Sequence, residues 1–196
     1  MTGARRLSQA ISEGDGISII ALVADPDSAR AAEEQGAEGL AVGAPASGLR
    51  DATGLPILFR TDASPEAARD AGADACLIVI EEHDDEDDLE ELHQRARELG
   101  LEVVADVHDD ESLEASLERI DPEIFLLSPR DAEDDQEDIE KILDLLPDVP
   151  AGKLAIADLQ DASLDDVLAL ERAGVDAVLV ANAQIAHLVG GAPPTV

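Results

Sequence analysis

Along the chain, short apolar runs alternate with longer stretches in which apolar positions recur every three or four residues. The runs span 17–24, 39–42, 56–60, 75–80, 101–107, 123–127, 153–157 and 177–180, eight in all, and are rich in Ile, Val and Leu. Near-continuous apolar runs of this length predict strands buried on both faces, as in a parallel sheet flanked by helices. Between them the spacing predicts amphipathic helices. Leu89, Leu92, Ala96 and Leu99 share one face of a 3.6-residue repeat, and Ile139, Ile142, Leu143 and Leu146 share another. Eight such alternations predict a (βα)8 barrel, the TIM barrel fold of the α/β class. An open, doubly wound sheet would carry a glycine-rich phosphate loop after its first strand. The chain reads Asp25-Pro26-Asp27-Ser28 there instead.

The punctuation between elements agrees with the periodicity. Gly36, Gly72, Gly100 and Gly174 each follow a helical pattern and precede a strand, where a residue with positive φ stops a helix. Three exits are worded alike: Gly36-Ala37-Glu38-Gly39, Gly72-Ala73-Asp74-Ala75 and Gly174-Val175-Asp176-Ala177. Such wording suggests internal repetition of one supersecondary unit. Ser64-Pro65-Glu66 and Ser163-Leu164-Asp165-Asp166 read as helix starts, with a capping oxygen and acids in the first turn. No interdomain linker is visible. Residues 1–196 are read as a single domain, with an N-terminal helical segment over 1–16, a polar βα loop over 128–137 and a frayed tail over 190–196.

Composition narrows the picture. The chain is 45% apolar but has two Phe and neither Trp nor Tyr, so its core is aliphatic. Cys76 is the lone cysteine; it excludes an internal disulfide and reads as a small core residue. No apolar run approaches the roughly 20 residues that cross a bilayer, and Met1 to Arg6 does not lead into a signal-type stretch, so a cytoplasmic location is expected. Forty-six acidic residues against thirteen basic ones give a formal charge of −33. That field repels phosphodiester backbones and anionic lipid, which sets aside nucleic acid and membranes as partners. It also destabilises a compact state unless salt screens it, so adaptation to a salt-rich cytoplasm is expected. The acidic run 81–88 is read as a solvated helix entry.

From about residue 17 to residue 188, the order and wording of the segments resemble indole-3-glycerol phosphate synthase. The stretches that carry the resemblance are Leu55-Pro56-Ile57-Leu58-Phe59-Arg60, Ala71-Gly72-Ala73-Asp74-Ala75-Cys76-Leu77-Ile78-Val79 and Leu99-Gly100-Leu101-Glu102-Val103-Val104-Ala105-Asp106-Val107-His108-Asp109. Arg130-Asp131 after the sixth strand and Gly174-Val175-Asp176-Ala177-Val178-Leu179-Val180 in the eighth match as well. The resemblance implies a barrel that binds phosphorylated sugars, needs no cofactor and belongs to tryptophan biosynthesis. Its ring closure and decarboxylation rely on lysines and glutamates at the C-terminal ends of the strands. By the same resemblance, Leu22 stands where the family has a glutamate, and Ala24 and Arg60 stand at its two lysines. Asp106 and Asp158 replace glutamates of the fifth and seventh strands, and Ser128 replaces an asparagine after the sixth. In the phosphate loops, Leu159-Gln160 replaces Ser-Gly and Ala181 replaces a glycine. The chain is also shorter than the family's usual length, lacking the N-terminal extension and the long first βα loop.

Leucine and alanine cannot transfer a proton, and arginine stays protonated near neutrality. The expectation is a degenerate homologue that has lost the lyase reaction and keeps a phosphorylated-sugar ligand, a protein partner or self-association. Arg60, Asp106, Asp158 and Ser128 are the residues expected at the former catalytic centre, and Gln160, Ala181, Asn182 and Arg130 those expected around phosphate. The alternative is an active phosphosugar lyase or isomerase of changed specificity, metal-dependent through Asp106, His108 and Asp158. Each candidate also has a plainer reading. Asp106 and Asp158 can pair with Arg60 as an ion network, and His108 or Asn182 can cap the helix that follows it. Arg130-Asp131 can tie a loop. His83 and His93 carry no ligand spacing, and His187 reads as a packed helix residue.

Overall fold

The computed structural model describes residues 6–14, 16–61, 64–83, 86–130, 135–159 and 161–189. Gln160, Asp131 and the tail over 190–196 lie outside them. Eight parallel strands close in sequence order into a barrel. They are β1 (Ser18–Leu22), β2 (Gly39–Val42), β3 (Ile57–Phe59), β4 (Ala75–Val79), β5 (Glu102–Val107), β6 (Ile124–Leu127), β7 (Leu154–Asp158) and β8 (Ala177–Ala181). Closure is made by β1 against β8, with Ser18 opposite Ala177 and Leu22 opposite Ala181. The strands sit within a residue or two of the apolar runs, and the (βα)8 expectation holds.

Helices α1 (Leu7–Ser12), α2 (Pro26–Glu34), α3 (Leu49–Ala52), α4 (Pro65–Asp70), α5 (Glu86–Glu98), α6 (Asp110–Arg119), α7 (Asp135–Leu145), α8 (Leu164–Ala173) and α9 (Ile185–Val189) complete the order. Strand alternation splits the core into two layers. One set of side chains, including Ile20, Leu58, Leu77, Val104, Leu126, Ile156 and Leu179, fills the lumen. The other, including Phe59, Ile78, Val107, Phe125 and Val180, packs outward against the helices with Leu89, Ala96, Ile142 and Leu170. Cys76 is buried in this outer layer, and burial pushes its thiol pKa up to about 12, so it is an inert core group.

Helix α1 closes the lower end of the lumen. Leu7 and Ile11 join the lumen cluster, while Glu102 at the foot of β5 accepts hydrogen bonds from the Leu7 amide (2.6 Å), the Ser8 amide (3.3 Å) and the Ser8 hydroxyl. A partly buried carboxylate thus satisfies amides that a helix start leaves without partners. Gly36, Gly72, Gly100 and Gly174 all have positive φ at helix exits, as the wording of those exits predicts.

The turn that leads from β5 into α6 is set by a reciprocal cap. The Asp109 carboxylate accepts from the Ser112 amide at 2.8 Å, and the Ser112 hydroxyl accepts from the Asp109 amide at 3.1 Å. Asp25 and Ser28 repeat the device at the start of α2. The Ser112 amide holds the Asp109 carboxyl below its ordinary pKa, with partial burial opposing. Its stabilising contribution is therefore present above the ordinary aspartate pKa and fades as pH falls through the depressed one. Asp109→Ala should lower stability by about 1 kcal/mol at neutral pH, and by less in acid, as read by urea denaturation.

Candidate functional site

Strand periodicity assembles the site. Because side chains alternate, residues two beyond a lumen-facing position return to the lumen. Counting upward from Ile20, Leu58, Leu126, Ile156 and Leu179 places Leu22, Arg60, Ser128, Asp158 and Ala181 around the upper rim. From Val104 the same count reaches Asp106 and then His108, and Glu81 joins them from the turn after β4. Glu81 follows β4 in a 3₁₀ turn, Ile80–Glu82. By sequence it falls in the acidic run 81–88, read as a solvated helix entry. Because the strand ends at Val79, its two-residue period stops short of Glu81, and it is the 3₁₀ turn that brings this side chain to His108.

Two sets of contacts organise these residues. Arg60 forms an ion pair with Asp158, their side chains 30% and 13% exposed. In an eight-stranded closed barrel β3 and β7 lie on opposite sides, so this pair is a crossbar over the mouth. The second set runs around the rim on β4, β5 and β6. The Ser128 hydroxyl donates to Asp106, which is 7% exposed. The other Asp106 oxygen lies 3.4 Å from His108 Nε2. His108, its side chain 4% exposed, has Nδ1 at 3.1 Å from Glu81, close enough for an ion pair but off the line of a hydrogen bond. Glu81 in turn meets Arg130 at 3.3 Å.

The ion network therefore differs from the sequence expectation. Asp158 pairs with Arg60, but Asp106 is held by Ser128 and His108. His108 does not cap α6, because Asp109 does. Burial pushes the Asp158 carboxyl up to about 6; Arg60 opposes the rise, and Asp106 and Asp138 add to it. The arrangement holds an aspartate able to gain or lose a proton close to neutrality, plus an imidazole between two carboxylates.

The remaining candidates are placed differently. Arg130 is tied to Glu81, and its carbonyl accepts from Lys141 at 3.2 Å. Ala181 ends β8, and Asn182 opens a 3₁₀ turn, Asn182–Gln184, without capping it. Asn182 Nδ2 instead faces the Ser28 carbonyl at 3.5 Å, while its Oδ1 is buried and unpartnered. The expected cap fails because the turn begins on Asn182 itself, one position too late for its side chain to reach the free amides. His187 is exposed on α9, not packed as its apolar surroundings suggest. His93 lies at the lower end of the barrel, far from the rim. Among the described residues no group of three His, Cys, Asp or Glu side chains is placed to hold a metal ion, so Asp106, His108 and Asp158 do not form the ligand set considered from sequence. No described helix is long and apolar enough to cross a membrane.

The comparisons with known proteins follow this geometry. The barrel is similar to a mutant tryptophan synthase alpha-subunit from the hyperthermophile Pyrococcus furiosus, with a TM-score of 0.65 and 18% identity over 87% of this chain and 89% of that one. A second mutant of that subunit gives 0.64 and 18%, over the same 87% of this chain. These likenesses concern the fold. A curated indole-3-glycerol phosphate synthase from Variovorax paradoxus (strain S110) is 35% identical over 133 residues, covering 66% of this chain and 49% of the relative. The match thus spans about half the length of that protein. The sequence model of the indole-3-glycerol phosphate synthase family matches residues 62–187, a segment holding Asp106, His108, Ser128, Asp158 and Asn182. The chain therefore belongs to the indole-3-glycerol phosphate synthase family.

Proposed function

We propose that this chain is a degenerate member of its family, which no longer carries out the lyase reaction and retains binding of a phosphorylated sugar or of a protein partner. The observation that carries the reading is the Arg60–Asp158 crossbar, which joins β3 to β7 over the mouth. A reacting sugar phosphate needs that space, and it needs Arg60 and Asp158 to address it instead of each other. Leu22 on the same rim is 36% exposed and offers only hydrocarbon to it. General acids and bases each contribute about 10²–10⁴-fold; with Leu22 and Ala24 at the first strand, no such group stands there. Asp106, Ser128, Arg60 and Asp158 are in this view remnants of a catalytic centre that have paired among themselves. Ala181, Asn182, Arg130 and Gln160 are the residues proposed to meet phosphate. The unpartnered Asn182 Oδ1 beside β8 is an acceptor suited to a sugar hydroxyl, not to the phosphate itself.

The test is an assay of the purified chain with the family's indole-forming substrate, in molar salt because of the −33 charge. No turnover above the buffer rate is expected. In a parallel thermal-shift titration, a sugar phosphate should raise the melting temperature saturably. Turnover that is lost in Asp106→Asn would overturn the reading, because a working acid or base would then be present.

A further inference from the structure

The lower end of the barrel carries a cavity of about 750 Å³, bounded by the feet of β5 and β6 and the ends of α4, α5 and α6. Its size is in the range of small-molecule sites. Arg6, Arg69 and Arg97 all line it. In a chain with more than three acids for every base, these three arginines form no ion pair among the described residues. By contrast, Arg50, Arg60, Arg95 and Arg130 each meet a carboxylate.

The acids on the cavity wall are already engaged. Asp74 holds Arg50 at 2.8 Å and the Ile57 amide at 2.9 Å. Glu102 clamps the start of α1. Asp121, with the only positive φ among the described non-glycine residues, directs its carboxylate to Lys153 at 2.7 Å. Glu123 is the one wall carboxylate without such a partner, so the three wall arginines are set against a single uncommitted acid. The half-buried His93 stands on the same wall: burial first, then the neighbouring Arg97, hold its pKa below the ordinary histidine value, with Asp121 opposing. It therefore offers a neutral ring at neutral pH, a hydrogen-bonding group and no further charge.

We propose that this cavity is a binding site for a small oxyanion bearing two or more negative charges, at the end of the barrel opposite the mouth. Guanidinium forks match phosphate and carboxylate oxygens in pairs. A concave pocket of this volume, partly open to solvent at Arg69 and Arg97, has room for a small molecule. The long-range field of the chain repels anions, so capture depends on these local charges and weakens as salt rises.

The experiment titrates the 196-residue chain with inorganic pyrophosphate in one arm and citrate in the other, at constant ionic strength, following amide resonances by NMR. Saturable shifts are expected at His93, Gly100 and Asp121, with His108 and Ser128 unmoved. The stronger arm identifies the ligand as phosphate or carboxylate. Arg69→Ala with Arg97→Ala should weaken binding by about tenfold per arginine, the scale of one charge-assisted hydrogen bond. Arg69→Lys with Arg97→Lys should fall between. Both positions are exposed, and far-UV circular dichroism checks that each variant folds. The proposal is overturned if no shift saturates, if shifts appear only at the mouth, or if the alanine variant binds as wild type. It is also overturned if, without added anion, the same substitutions abolish concentration-dependent self-association, since the arginines would then serve a second copy of the chain.

Discussion

Arg60→Leu should destabilise the folded chain by about 2 kcal/mol at neutral pH and by much less near pH 4.5. Breaking a buried ion pair from one side leaves the other charge without compensation and costs about 3–5 kcal/mol. Arg60 is 30% exposed, so solvent screening lowers that figure here. The pH dependence follows from Asp158. Its folded pKa, about 6, lies above the ordinary aspartate value of 3.8. Between these values the native chain binds a proton that the unfolded chain has released, so stability falls as pH rises. Below the lower value both states are protonated, and above the upper value the loss is complete, at about 3 kcal/mol from this group. Removing Arg60 withdraws the one influence that lowers the Asp158 pKa, so the loss deepens and extends to higher pH.

Urea denaturation at several pH values reads this directly. Asp158→Asn should flatten the slope between about pH 4 and 6, and Arg60→Leu combined with Asp158→Asn should recover most of the stability lost in Arg60→Leu alone. An equal loss at both ends of the pH range in Arg60→Leu would mean that the arginine acts through packing, and the crossbar account would fail.

Phe125→Ala should have the largest effect on stability, about 3–5 kcal/mol. Phe125 is fully buried in the layer between barrel and helices, heads the largest buried side chains, and is one of only two aromatic residues in the chain. Its neighbours are aliphatic and fixed by β5 and β7 on either side, so they can collapse only partly into the space left behind. The urea midpoint measured in molar salt gives the loss, and Phe125→Leu should recover more than half of it. A loss below about 1 kcal/mol would mean that the outer layer repacks freely, contrary to close packing in protein interiors.

The same contrast between local and distant determinants decides what could be read from the residues alone. The eight strands and the helix exits at Gly36, Gly72, Gly100 and Gly174 were legible because periodicity and positive φ are properties of neighbouring residues. The rim positions Arg60, Asp106, Ser128 and Asp158 were legible through resemblance, and strand alternation explains why all four meet at one end. Glu81 is not legible because it lies in a 3₁₀ turn beyond the end of β4, within an acidic run that gives no local sign of its contact with His108. Asn182 was taken for a cap because sequence does not show on which residue a short 3₁₀ turn begins.

By itself, the sequence determined the number and order of the strands, their alternation with helices, the aliphatic core and the acidic charge. Each depends on residue type and on spacing over a few positions. Only tertiary closure decided that Arg60 meets Asp158, 98 residues away and across the barrel, that Asp106 turns to Ser128 and His108, and that Arg6, Arg69 and Arg97 share one cavity. Strand tilt and register set those distances, and in a buried site the choice of partner for a charge is a matter of which group lies within a few ångströms.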